Sequence, residues 1–237
     1  MDKRLDNKIS VVTGASRGIG ASVATLFASL RSKVFLLARD ATALEEVTER
    51  INESGGDATP LTCDISSKIQ VSDAFERIGN HADRIDILVN SAAVLEKKLM
   101  EELDEETFQK ILKINVNGAF LCCRAALQYM KDNGGSIINI SSLSGVVGVE
   151  KFAGMGAYVI SKYGLWGLTE ILAVEWAKYG IRVNAISPSG VDTEMFQTAF
   201  PGAEAPMSPK DIAKVCLFLA SDDSQAITGE NIIVKGI

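Results

Sequence analysis

The chain has 237 residues, of which 47% are hydrophobic and 23% charged, with a formal net charge of −6. That balance belongs to a soluble globular domain and excludes disorder, collagen or coiled coil as a description of the whole chain. An acidic chain lacks the basic face a nucleic-acid binder needs, and no apolar run reaches the ~18 residues of a membrane span. Neither nucleic acid nor membrane is expected as a partner.

Short β-branched runs alternate with longer helical patterns along the chain. Ile9–Thr13 is the first run and precedes a glycine cluster with a helical pattern behind it. Further strands are expected at 34–38, 58–62, 85–90, 136–141 and 182–187, and at Asn231–Val234. Amphipathic spacing between them predicts helices over 41–54, 104–130 and 156–179. Runs this apolar suit parallel strands buried on both faces. The alternation predicts an α/β fold, a doubly wound (Rossmann) parallel sheet of about seven strands with helices on both faces. No linker interrupts residues 1–237, which read as one domain. Cys63, Cys122, Cys123 and Cys216 form no C-x-x-C pair, and His81 is the single histidine, so no metal site is expected. The cysteines read as small buried apolar side chains. Free thiols, and an N-terminus without an apolar signal segment, predict a reducing, cytoplasmic location.

The first run ends in Thr13-Gly14-Ala15-Ser16-Arg17-Gly18-Ile19-Gly20. Gly14 permits the tight turn, Gly18 the close approach of a pyrophosphate to backbone, and Gly20 close packing of helix on strand. A helix N-terminus then offers its unpaired N–H groups to phosphates. The residue type at the end of the second strand separates the two nicotinamide dinucleotides: an acid binds the NAD ribose, a basic residue the NADP 2′-phosphate. Here the strand ends Leu37-Ala38-Arg39-Asp40. Ala38 has no carboxylate and Arg39 offers a planar fork suited to phosphate. Arg17 can approach the same group. NADP is therefore expected, with NAD possible through Asp40 if the strand register slips by one or two residues.

Tyr158 and Lys162 are four residues apart in a helical pattern and so share one face. Ser142 follows the fifth strand, at the carboxyl edge where ligands bind in open α/β sheets. A phenol titrates near 10 in water. Acid/base work near neutrality needs its anion stabilised, and the Lys162 ammonium and a positive nicotinamide would supply much of that.

Taken together, these residues identify a resemblance to the short-chain dehydrogenase/reductase family, in its common single-domain form, over roughly residues 8–236. The glycine turn, Asp64, Asn90, Asn115, Ser142, Tyr158 and Lys162 fall in that family's order. The resemblance implies that Tyr158 is the general acid in reduction and the base in oxidation. It implies that Lys162 binds the nicotinamide ribose, that Ser142 orients the carbonyl, and that Asn115 holds a helix kink and a relay water, with Asn117 a nearby decoy. Asp64 would bind the adenine amino group, although a helix N-cap is an equal reading. Cofactor contacts are further implied at Ser16, Ile19, Ile65, Asn90, Ala92, Pro188, Val191 and Thr193. Two departures stand out: Ala93 and Ser189 occupy positions that are usually glycine in the family.

Two segments are expected to wall the substrate: 143–157, with Val146, Val149, Phe152 and Met155, and 194–208, with Phe196, Phe200, Pro201 and Met207. The same apolar residues would equally serve a subunit interface. The resemblance implies a homo-oligomer, tetramer or dimer, paired through the helices over 104–130 and 156–179. Three functions follow: an NADPH-dependent ketone reductase, including one for 3-oxoacyl thioesters; an NAD-dependent dehydrogenase of a secondary alcohol such as a sugar or steroid; and a nucleotide-sensing protein without turnover. The intact Asn115, Ser142, Tyr158 and Lys162 set speaks against the third. A small-molecule carbonyl or alcohol is the expected substrate.

Overall fold

The computed structural model describes residues 4–236. The chain alternates strand and helix: β1 (Ile9–Thr13), α1 (Gly18–Ser29), β2 (Lys33–Ala38), α2 (Ala41–Glu53), β3 (Asp57–Thr62), α3 (Lys68–Gly79) and β4 (Ile87–Asn90). Then come α4 (Glu105–Leu112), α5 (Ala119–Met130), β5 (Gly135–Ile140), α6 (Gly156–Trp176), β6 (Ile181–Pro188), α7 (Glu194–Ala199), α8 (Pro209–Ala220) and β7 (Asn231–Val234). The strands form one parallel sheet in the order β3-β2-β1-β4-β5-β6-β7. The weakest of the expected strands, β3, lies at an edge, where Pro60 costs no ladder bond.

Side chains alternate across the sheet with period two. Val12, Leu36, Val89 and Ile138 face one layer, filled from α1, α2 and α8 by Phe27, Leu44, Ile51 and Leu217. Their neighbours Val11, Phe35, Leu88 and Ile137 face the other, filled from α3, α5 and α6 by Phe75, Ile78, Met130 and Trp176. All four cysteines are free and buried, and burial pushes each thiol up. No helix among the described residues is long and apolar enough to cross a membrane.

The expected helix over 104–130 is interrupted. Between α4 and α5, Lys113–Gly118 winds as a π-helix, a form that appears as short insertions and often at functional sites. The buried Asn115 lies within it. The helix expected over 156–179 is α6, followed by a final tight turn at Ala177–Tyr179 that stops at Gly180 in the left-handed region, φ 69°.

Candidate active site

The chain order of the strands reverses between β1 and β4, the place where open α/β sheets bind ligands. A cleft of about 1400 Å³ runs there along the carboxyl ends of the strands. Drug-sized ligands occupy clefts of roughly 300–1000 Å³, so this one has room for a dinucleotide and a small substrate together.

One end of the cleft is the β1–α1 turn. Gly14 (φ 67°) and Gly18 (φ 56°) both adopt the left-handed region. A Cβ on Gly14 would lie 2.7 Å from the Ala92 Cα, and one on Gly18 would lie 3.3 Å from the Thr193 Cγ2. The backbone is therefore exposed to the cleft because side chains are missing where they would fill it. Arg17 occupies the α1 cap position without a side-chain cap bond, so the first-turn N–H groups remain open. These features fit the pyrophosphate of a nicotinamide cofactor. Ser16, Arg17 and Ile19 line the same end.

β2 ends at Ala38, in register with Thr62, and Asp40 caps α2 by accepting from the Ala43 N–H at 3.1 Å. Arg39 lines the cleft. Arg17, which lines the same cleft, donates to Asp40 at 3.1 Å and to Glu194 at 2.6 Å, and both carboxylates raise the guanidinium further, Glu194 the more strongly. Asp64 and Ile65 line the adjoining wall. Asp64 is not the α3 cap, because Ser67 accepts the Gln70 N–H there, while Asp64 Oδ1 accepts from the Ser66 N–H at 2.9 Å.

Ser142, Tyr158 and Lys162 meet on one wall. α6 presents Tyr158 and Lys162 on one face, and the loop after β5 carries Ser142 opposite them. Both α6 side chains are buried. The Ser142 hydroxyl lowers the phenol's pKa and accepts from the Ser144 N–H at 3.1 Å. Lys162 Nζ donates to the Ile140 carbonyl at 2.7 Å and sits 5.4 Å from the Tyr158 ring centroid. Burial pushes Tyr158 up to about 12, only partly offset by the Ser142 hydroxyl, and the same burial lowers Lys162 to about 7. The expected stabilisation of the phenolate by Lys162 is thus not a property of the chain alone: removal from water penalises both charged forms.

Three of the expected site residues stand behind the cleft. Asn90 lies two residues after Leu88 and therefore faces α5, where its amide donates to Asn139 Oδ1 at 2.9 Å and approaches Cys123 Sγ at 3.2 Å. It is Ser91 and Ala92 that reach the cleft. Gly20 lies one turn into α1, packed on the carbonyl of Gly14. Asn115 accepts from the Val94 N–H at 2.8 Å and donates to the Val94 carbonyl and Ser161 Oγ at 2.9 and 3.0 Å. Its side chain pins the loop after β4 to α6. Asn117, by contrast, is exposed.

Pro188, Val191 and Thr193 line the cleft beyond β6, and Thr193 also caps α7, accepting from the Phe196 N–H at 3.2 Å. Val149, Phe152, Met155, Phe196 and Phe200 form the apolar end, with Phe200 packed on Phe152 and Phe196 at centroid distances of 5.2 and 5.4 Å. Val146, Pro201 and Met207 do not join them: the Val146 carbonyl ties down Lys151 and Tyr163, Pro201 is exposed, and Met207 is in the core. Neither Ala93 nor Ser189 has a positive φ, so neither position requires glycine. Ser189 bonds both ways to the end of β7, N–H to Val234 and hydroxyl to Lys235, at 2.8 and 2.7 Å. Sequence reasoning missed Glu194, and it missed Lys97, which donates to the Ala199 carbonyl at 3.0 Å and lies 4.7 Å from the Phe200 ring centroid. Both contacts join segments more than a hundred residues apart, beyond the reach of any local pattern.

A family model described as Enoyl-(Acyl carrier protein) reductase matches residues 14–236. The 3-oxoacyl-(acyl-carrier-protein) reductase FabG of Aquifex aeolicus is 36% identical, over 100% of this chain and 99% of that protein. The NAD-dependent glycerol dehydrogenase of Listeria innocua is 35% identical, over 99% and 95%. A crystal structure of a short-chain type dehydrogenase/reductase from Mycobacterium marinum superposes with a TM-score of 0.92 at 33% identity, covering 99% of this chain and 96% of that one.

Proposed function

The chain belongs to the short-chain dehydrogenase/reductase family, and from that premise we propose that it is an NADPH-dependent ketone reductase with Tyr158 as its proton donor. The family uses a nicotinamide cofactor and acts on alcohol and ketone groups. The observation that carries the reading is the meeting of Ser142, Tyr158 and Lys162 on one buried wall of the cleft. The nicotinamide cofactor supplies the hydride. Ser142 holds the carbonyl oxygen by a hydrogen bond, and Tyr158 gives that oxygen its proton as negative charge develops there. A phenol held at about 12 is fully protonated at neutral pH, the form a donor requires. Lys162, lowered to about 7 by burial, gains and loses a proton readily near neutrality.

Arg39 supports NADPH. It lines the cleft and makes no ion pair or hydrogen bond among the described residues, while Asp40 is engaged as the α2 cap. Titration with both cofactors tests this. Arg39→Ala should weaken NADPH binding roughly 10- to 100-fold, the range for a lost charge-assisted hydrogen bond, and leave NADH nearly unchanged. Equal losses would refute it. The Phe152, Phe196 and Phe200 rings favour a ketone with an apolar body, including a 3-oxoacyl thioester, the class named for the Aquifex relative. The second reading, NAD-dependent oxidation of a secondary alcohol, draws on the name of the Listeria relative and is separated by the same titration. Exposed Phe120 on α5 and exposed Ile171 and Val174 on α6 support self-association through those helices, which sedimentation would test.

A further inference from the structure

Arg17 is a shared cation. Its guanidinium is held by Glu194, the first residue of α7, at 2.6 Å and by Asp40, the α2 cap, at 3.1 Å. The contact joins the glycine turn to the helix that walls the apolar end of the cleft, across 177 residues of sequence. Neither carboxylate needs Arg17 for its local role: Asp40 caps α2 through its other oxygen, and α7 is capped by Thr193. Arg17 and Arg39 line the same cleft, and Arg17 is tied to Asp40, the residue next to Arg39, at the end of the cleft where a ribose 2′-phosphate would be held. A phosphate that takes Arg17 must therefore displace two carboxylates, and Glu194 is the nearer.

We propose that Glu194 is a cofactor-selectivity residue, which sets the preference between NADPH and NADH by competing with the 2′-phosphate for Arg17. The inference rests on the NADPH reading above. Glu194 acts through Arg17 rather than on the cofactor, so it is a positioning residue. Its competition is with the extra phosphate, which NADH lacks, so it biases the ratio of the two affinities rather than both alike. All three side chains are about half exposed or more, and exposed ion pairs are weak, so the effect is a modest one.

The test is a set of dissociation constants for NADPH and NADH, measured on the full chain by cofactor fluorescence. Glu194→Gln keeps the size of the side chain and removes its charge. It should tighten NADPH roughly two- to fivefold, with NADH changed much less. Asp40→Asn removes the second charge and keeps an equally good cap, and should shift the ratio in the same direction by less. In an Arg17→Ala background Glu194→Gln should no longer move the ratio, which separates competition for Arg17 from direct repulsion of the phosphate. An unchanged ratio in Glu194→Gln, or a shift that persists without Arg17, overturns the inference while leaving the NADPH reading intact. A wild type that prefers NADH, with NADPH affinity indifferent to Arg39→Ala, overturns the NADPH reading and this inference with it.

Discussion

Replacing Lys162 by methionine should make the protein more stable and inactive. Lys162 is buried among cleft groups and lowered from 10.5 to about 7. A depressed base binds fewer protons when folded than when unfolded, so its penalty is full below about 7, falls as pH rises from 7 to 10.5, and is absent above both values. Lowering the group from 10.5 to about 7 corresponds to ~5 kcal/mol against the charged form. Methionine removes that penalty and loses the 2.7 Å bond to the Ile140 carbonyl, costing about 1–3 kcal/mol. The net gain near neutrality is roughly 2–3 kcal/mol, a rise in Tm of about 5–10 °C for a chain of this size. The sharper signature is in pH. The advantage of the variant should shrink by roughly 2 kcal/mol between pH 7 and 9, because the wild type sheds its buried charge and the variant has none. Urea unfolding of both proteins across that range measures it. A constant difference, or a variant less stable at pH 7, would refute the reasoning.

Gly20→Ala should lower Tm and disturb the glycine turn, since its Cβ would fall 2.7 Å from the carbonyl carbon of the cleft-lining Gly14; overpacking of this kind costs about 1–3 kcal/mol, and an unchanged melting curve would count against the packing described. Asn115→Ala strands the Val94 N–H and carbonyl, so a loss of roughly 2–4 kcal/mol is expected in urea unfolding; a loss below 0.5 kcal/mol, the usual size of a surface substitution, would show that Asn115 does not hold the loop.

Much of the architecture can be read directly because burial on both faces writes a parallel strand as an apolar run. β1 and β7 fall on their expected limits, and the others are displaced by at most two residues. The glycine turn and the Tyr158–Lys162 spacing are equally visible, since backbone approach and a shared helix face impose residue types at fixed intervals. What escapes depends on contacts across the fold. The π-helix at Lys113–Gly118 leaves no periodic signature in so short a segment, and a kink at Asn115 is implied by the family resemblance alone. Whether Asn90 or Ser91 reaches the cleft turns on the parity of one strand. The Arg17–Glu194 pair has no local trace. The upward displacement of Tyr158 comes from its burial, which no spacing announces.

The central claim, proton donation by Tyr158 in reduction with NADPH, is tested by following NADPH consumption optically on a panel of ketones that includes an acetoacetyl thioester. Wild type and Tyr158→Phe are run side by side. The phenylalanine ring fills the same buried space and lacks only the hydroxyl. Turnover should fall roughly 100- to 10,000-fold, the contribution of a positioned acid, with NADPH affinity unchanged. Turnover in the variant close to that of the wild type would contradict the account.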